Sequence, residues 1–150
     1  MKMSWTPISP SGFQSLTQAE LAAHFVEEFE AQHQPSRRRL LGRLRAYLAE
    51  LATFGLPMEV WFDGSFTTRC PEPEDVDLVV LLANQDVAGL PRARQERLSF
   101  LLNERNFIKI RYDCDVYHID TYNVERRRHW TQQFATNHDG TPKGIFTLTL

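Results

Sequence analysis

Residues 58–82 read MEVWFDGSFTTRCPEPEDVDLVVLL. An apolar run is followed by a Gly-Ser turn, a polar Pro-rich loop, and Asp75-Val76-Asp77 opening a second apolar run. Successive side chains of a strand point to opposite faces, so Asp75 and Asp77 project on one side, about 7 Å apart at ~3.3 Å per residue. Leu78 to Leu82 are apolar without a break, the pattern of a strand buried on both faces. Two carboxylates at the mouth of such a strand pack poorly and suit a divalent cation. Gly64 permits backbone angles and a close approach that a side chain forbids. Ser65 offers a hydroxyl and an N–H to phosphate oxygens; the plainer reading is a turn serine.

Before this stretch, Thr17-Gln18-Ala19-Glu20 is a capping-box pattern, with Leu16 and Leu21 placed to form a hydrophobic staple. Leu21, Phe25 and Phe29 recur every four residues and predict a helix to about Gln32, after an irregular lead-in over residues 1–15. Pro35-Ser36 restarts the chain. Leu40, Leu41, Leu44, Leu48 and Leu51 line a second helix that ends at Gly55. Its start carries Arg37, Arg38, Arg39, Arg43 and Arg45, an unfavourable placement against the helix dipole. That cluster reads either as a solvated face with stray ion pairs or as a basic patch for an RNA, a nucleotide tail or an acidic partner.

After it, Pro91 suits a helix first turn, and Leu98, Leu101 and Leu102 mark one buried face to about Arg105. Phe107 to Ile119 reads as the longest strand. Its even positions are mostly apolar, while its odd positions carry Lys109, Arg111, Asp113 and Asp115. A helix around Val124 to Phe134, a turn at Asp139-Gly140 and a last strand over Ile145 to Leu150 complete the chain. Trp130 and Phe134, four apart, read as core rather than as a stacking platform.

Gly64-Ser65, nine residues, then Asp75-Val76-Asp77-Leu78 resembles the signature of the polymerase-β-like nucleotidyltransferase superfamily, in its minimal stand-alone bacterial form. Gly64-Ser65-Phe66, and an ending of Trp, Phe and Asp-Gly-x-Pro-Lys-Gly, are similar to small bacterial proteins of that type. The resemblance implies an α+β fold with a mixed β-sheet, helices packed on one face and two N-terminal helices. It implies catalytic and metal-ligating roles for Asp75, Asp77 and a third carboxylate, most simply Asp115 with Asp113 as its rival. Gly64, Ser65, Arg69 and Lys143 would meet the nucleotide; Thr68 stands where many members carry an arginine. The implied cofactor is Mg²⁺, as two ions roughly 3.5–4 Å apart, with Mn²⁺ as an alternative. The implied activity moves a nucleoside monophosphate from a nucleoside triphosphate such as ATP to a protein or RNA acceptor, in a toxin–antitoxin or defence setting. A partner protein or a second copy of the chain fits the same picture. The rival reading is a catalytically inactive nucleotide-binding or partner-binding module on the same scaffold.

At 150 residues and 42% apolar, the sequence fits one domain with a real core. A net charge of −2 gives no overall argument for nucleic acid or membrane. Cys70 and Cys114 have no ligand spacing and form no disulfide framework, and neither a signal peptide nor an apolar span is apparent, so a cytoplasmic setting is the expectation. The five histidines show no paired ligand spacing.

Overall fold

The computed structural model describes residues 4–150, so the first three residues of the expected lead-in lie outside the described residues. Five strands, β1 (Phe13–Leu16), β2 (Met58–Asp63), β3 (Val76–Leu82), β4 (Cys114–Asp120) and β5 (Ile145–Thr149), form one sheet in the order β1-β5-β2-β3-β4. β1 pairs parallel with β5 and β3 with β4, whereas β2 is antiparallel to both of its neighbours. The fold is α+β on a mixed sheet, as expected. β1 falls within the stretch expected to be irregular. Its four residues carry no pattern of their own and are held by pairing with β5 from the far end of the chain.

The helices are α1 (Gln18–Ala22), α2 (Gln34–Ala52), α3 (Asn84–Ala88), α4 (Arg92–Asn103), α5 (Arg105–Tyr112) and α6 (Val124–Phe134). The capping box at α1 is formed: the Glu20 N–H donates to the Thr17 hydroxyl at 3.3 Å and the Thr17 N–H to the Glu20 carboxylate at 3.1 Å. Leu16 and Leu21 are both buried in the core. α1 passes into a widened turn over Ala23–Glu27 and stops there, short of Gln32. α2 buries the expected leucine stripe against Val60, Phe62, Leu78 and Val80, on one face of the sheet. Each such leucine withdrawn from water contributes about 1.5–3 kcal/mol.

Alternate strand positions feed two separate cores. The first takes buried residues of α1, α2, α4 and α5. The second holds Trp61, Val79, Leu81, Ile119 and Ile145, covered by Phe134 and Trp130 of α6. α1 to α5 therefore share one face, α3 through the partly buried Val87, and α6 lies on the other rather than with them as expected, because β2 and β3 are apolar on both sides and each side needs a cover.

The expected long strand over Phe107 to Ile119 divides at Asp113. Its first half is α5, with Ile108 and Tyr112 buried at i, i+4, while Ile110 is 78% exposed. The alternation of Ile108, Ile110 and Tyr112 imitates a strand; the i, i+4 spacing was the true signal. Asp113 ends the helix at φ 52°, its N–H donating to the Lys109 carbonyl at 3.0 Å. A short polar side chain tolerates that left-handed cap better than most.

The arginine cluster divides as well. Arg38, Arg39 and Arg45 are exposed, but Arg37 is fully buried. Its guanidinium donates to the carbonyls of Phe25 (2.9 Å), Phe66 (3.0 Å), Thr68 (2.8 Å) and Cys70 (2.8 Å) and lies 3.6 Å from the centroid of the Phe29 ring. Three of those carbonyls belong to the loop after Gly64, so one side chain of α2 sets the path of that loop. Burial pulls the Arg37 guanidinium down to about 10, which leaves it charged at neutral pH. Arg43 is turned to the end of α5, donating to the Arg111 carbonyl at 2.6 Å and pairing with Asp113 at 3.2 Å.

Arg37→Met removes the charge and orphans four carbonyls, so a loss of at least about 3 kcal/mol is expected in urea unfolding, against about 0.5 kcal/mol or less for Arg38→Ala or Arg39→Ala. Equal losses at all three positions would show that the clamp does not organise the loop.

Candidate functional site: an acidic cleft at the end of three strands

Asp63 is the last residue of β2, Asp77 the second of β3 and Asp115 the second of β4. Asp63 stands opposite Asp77 in the antiparallel ladder, and Asp77 is paired with Asp115 in the parallel one. The register therefore sets three carboxylates side by side on the α6 face of the sheet. Directly opposed side chains start about 4.5–5.5 Å apart at Cβ. Asp75, one residue before β3, joins Asp77 and Asp115 in lining a cavity of about 690 Å³, together with Gly64, Ser65 and Lys143. A second cavity of about 440 Å³ meets the first at Asp77 and runs beneath α6, past Asp63, Trp130, Gln133 and His138.

Gly64 is needed for two reasons. Its φ of 85° lies where side chains are strained, and a Cβ there would come within 3.0 Å of the Asp77 Oδ2 atom. Ser65 follows on a single helical turn, Ser65–Thr67, and Thr67 and Thr68 direct their hydroxyls back to the carbonyls of Gly64 (3.1 Å) and Ser65 (2.7 Å). With Arg37 behind it, the loop wall is tightly tied.

The carboxylates differ in their company. Asp63 is ion-paired with Lys143, which is only 5% exposed, and burial nonetheless pushes its carboxyl upward. Asp75 is paired with Lys109, and Asp115 with Arg105, whose guanidinium also donates to the Tyr117 hydroxyl at 3.0 Å. The Asp77 carboxylate has no hydrogen bond or ion pair among the described residues. Burial first, then the charges of Asp75, Asp63 and Asp115, push it up to about 6. This is the excess of negative charge that calls for a cation.

Of the residues expected at the site, Gly64, Ser65, Asp75, Asp77, Asp115 and Lys143 line one cavity. Arg69 does not join them. It faces Glu28 at 3.6 Å and the Phe29 ring, because its backbone is held by Thr6 on the outside of the loop. Asp113 is also removed from the row: the left-handed turn at the end of α5 points it to Arg43. Sequence reasoning missed Asp63, Lys109, Arg105 and Tyr117. Asp63 had a usable signal, since it shares a strand face with Trp61 and precedes the Gly-Ser turn. Lys109 reads on the same strand face as Asp115 and Arg105 as the end of the preceding helix, so neither reading puts the pair on one helix facing the acids.

As a metal site the donor set fits: oxygen-only carboxylates, one of them without a partner, beside an open cavity, as a hard divalent cation requires. Among the described residues no group of three or more His, Cys, Asp or Glu is gathered tightly enough to hold an ion as it stands. Asp75 and Asp115 each already carry a lysine or an arginine on one oxygen. No helix among the described residues is long and apolar enough to cross a membrane.

The fold and cleft define a small α+β domain with an acidic site at the end of its central strands. The chain belongs to a family of unknown function, DUF6932, whose model matches residues 2–149. No curated protein and no solved structure matches the chain.

A carboxyl raised in the folded state binds its proton more tightly there than in the unfolded chain, so stability falls as pH rises from about 4 to about 6 and the penalty persists above. In metal-free buffer, Asp77→Asn is expected to stabilise the protein by about 1–3 kcal/mol at pH 7.5, with the difference vanishing below about pH 4. Thermal unfolding of both proteins across that range checks this. A pH-independent difference would mean that neither burial nor the neighbouring carboxylates raise the Asp77 carboxyl.

Proposed function

We propose that the protein is a magnesium-dependent nucleotidyltransferase, moving a nucleoside monophosphate from a nucleoside triphosphate to a hydroxyl of a protein or RNA acceptor. The observation that carries this reading is the register-aligned placing of Asp77 and Asp115, with Asp75, beside the Gly64-Ser65 turn. Asp75, Asp77 and Asp115 would hold the metal. Magnesium, when bound, supplies positive charge to the phosphate oxygens on which the transition state accumulates negative charge.

The chain's own residues do the rest. The Ser65 hydroxyl and N–H offer donors to the phosphate chain at the loop wall, and Gly64 leaves room for it. Asp115, half-buried at the cavity edge, receives the proton of the acceptor hydroxyl. The acceptor oxygen then forms its bond to the α-phosphorus, the bond from that phosphorus to the bridging oxygen breaks, and pyrophosphate leaves. Lys143 holds Asp63 in a buried pair, which limits how much charge the row presents to Asp77.

One observation favours a second reading, a nucleotide-binding or partner-binding module without turnover. Asp75 and Asp115 are already neutralised by Lys109 and Arg105. Incubation with each α-labelled nucleoside triphosphate, Mg²⁺ and cell extract separates the two. Transfer of label to protein or RNA is expected, falling at least about 10²-fold in Asp77→Asn and in Gly64→Ala. Nucleotide binding that is indifferent to Mg²⁺, with no transfer in any fraction, would leave the binding module standing.

A further inference from the structure

Both cations that neutralise the outer carboxylates come from one short helix. Arg105 and Lys109 are four residues apart on α5 and thus on one side of it. Arg105 reaches Asp115, and Lys109 reaches Asp75. Both side chains are about half exposed, at 54% and 51%, so neither is fixed by packing. The carboxylate of Asp77, which neighbours Asp75 along the chain and Asp115 across the sheet, is left without a partner among the described residues. Donating to the Tyr117 hydroxyl and to Asp115 raises the Arg105 guanidinium above its usual range, and the hydrogen bond to Asp75 raises the Lys109 amine.

Resting on the metal-dependent reading above, we propose that Arg105 and Lys109 are built-in counter-cations that compete with the divalent ion for the oxygens of Asp115 and Asp75. An ammonium or guanidinium donor on a carboxylate oxygen takes up one of its lone pairs and part of its charge, and it repels a cation placed beside it. Binding of the ion therefore works against both ion pairs, and the cost of loosening them lowers metal affinity. By linkage the effect is reciprocal: the metal must loosen both ion pairs. Arg105 has a resting place once displaced, since its guanidinium already lies 4.7 Å from the centroid of the Tyr117 ring. Lys109 lines the cavity itself and swings into solvent. The paired state keeps the acidic row compact while no ion is present.

Two measurements test this on the full chain without reference to turnover. The first is titration with Mn²⁺ followed by electron paramagnetic resonance. Arg105→Gln and Lys109→Gln should each tighten binding about threefold or more, and the double variant about tenfold or more. Arg111→Gln removes the same charge from the same helix without touching the row, and should change binding less than twofold. The second is acylation of lysine amines read by mass spectrometry. The chain has only Lys2, Lys109 and Lys143, so Lys109 is resolved cleanly. Saturating Mg²⁺ should raise its labelling rate severalfold as the pair to Asp75 opens, while buried Lys143 stays slow. If the wild type binds Mn²⁺ but the two variants bind equally or more weakly, or match Arg111→Gln, the competition is refuted and the metal site survives. An unchanged Lys109 labelling rate with Mg²⁺ bound also refutes it. If neither wild type nor variants bind either ion, this inference and the metal-dependent reading fall together.

Discussion

The pairing register of β3 is the constraint on which the site depends. β3 lies between an antiparallel and a parallel neighbour, and only one alignment sets Asp77 beside both Asp63 and Asp115. Shifting a strand by one residue sends every side chain to the opposite face. Over Leu78 to Leu82 that slip costs little by itself, since both faces there are apolar and covered. At Asp77 it would drive a carboxylate into the helix-side core in exchange for Val76. The acidic residue at the strand's mouth is thus both the centre of the site and the feature that selects the register.

Around that row, charge is balanced from several directions. Lys143, just before β5, neutralises Asp63 from within. Arg105 and Lys109 neutralise the two outer acids from α5. Arg37 works at longer range, by tying the carbonyls of the loop that forms the facing wall. A buried charge is costly unless its donors are satisfied, and Arg37 satisfies them with backbone rather than with an acid. That choice leaves the acidic side chains to the cleft.

How far the sequence reveals these features depends on whether their cause is local. The capping box, the leucine stripe of α2, the Gly64-Ser65 turn and the apolar run of β3 are written in neighbouring residues, and each was legible. The division of Phe107 to Ile119 was not. Ile108, Ile110 and Tyr112 satisfy a strand's alternation as well as Ile108 and Tyr112 satisfy a helix, and exposure of Ile110 decides between them only once the chain is packed. β1 is a strand because β5 lies beside it. Arg37 could not be told from Arg38 or Arg39 by spacing, because the carbonyls it meets belong to a loop some thirty residues on.

By itself the sequence determined the carboxylates at the mouth of β3 and the glycine that must bend beside them, and through a family resemblance it pointed to the α+β class and to Asp115, with Asp113 as its rival. The carboxylates and the glycine are consequences of residue type and short-range spacing. Tertiary structure alone decided that Asp63 completes the row and that Asp113 and Arg69 stand outside it. It also decided that two cations of α5 already occupy the outer acids. The reason is physical: a carboxylate's neighbours are set by strand register and by helix ends that return from distant parts of the chain, and no local pattern records where those returns will fall.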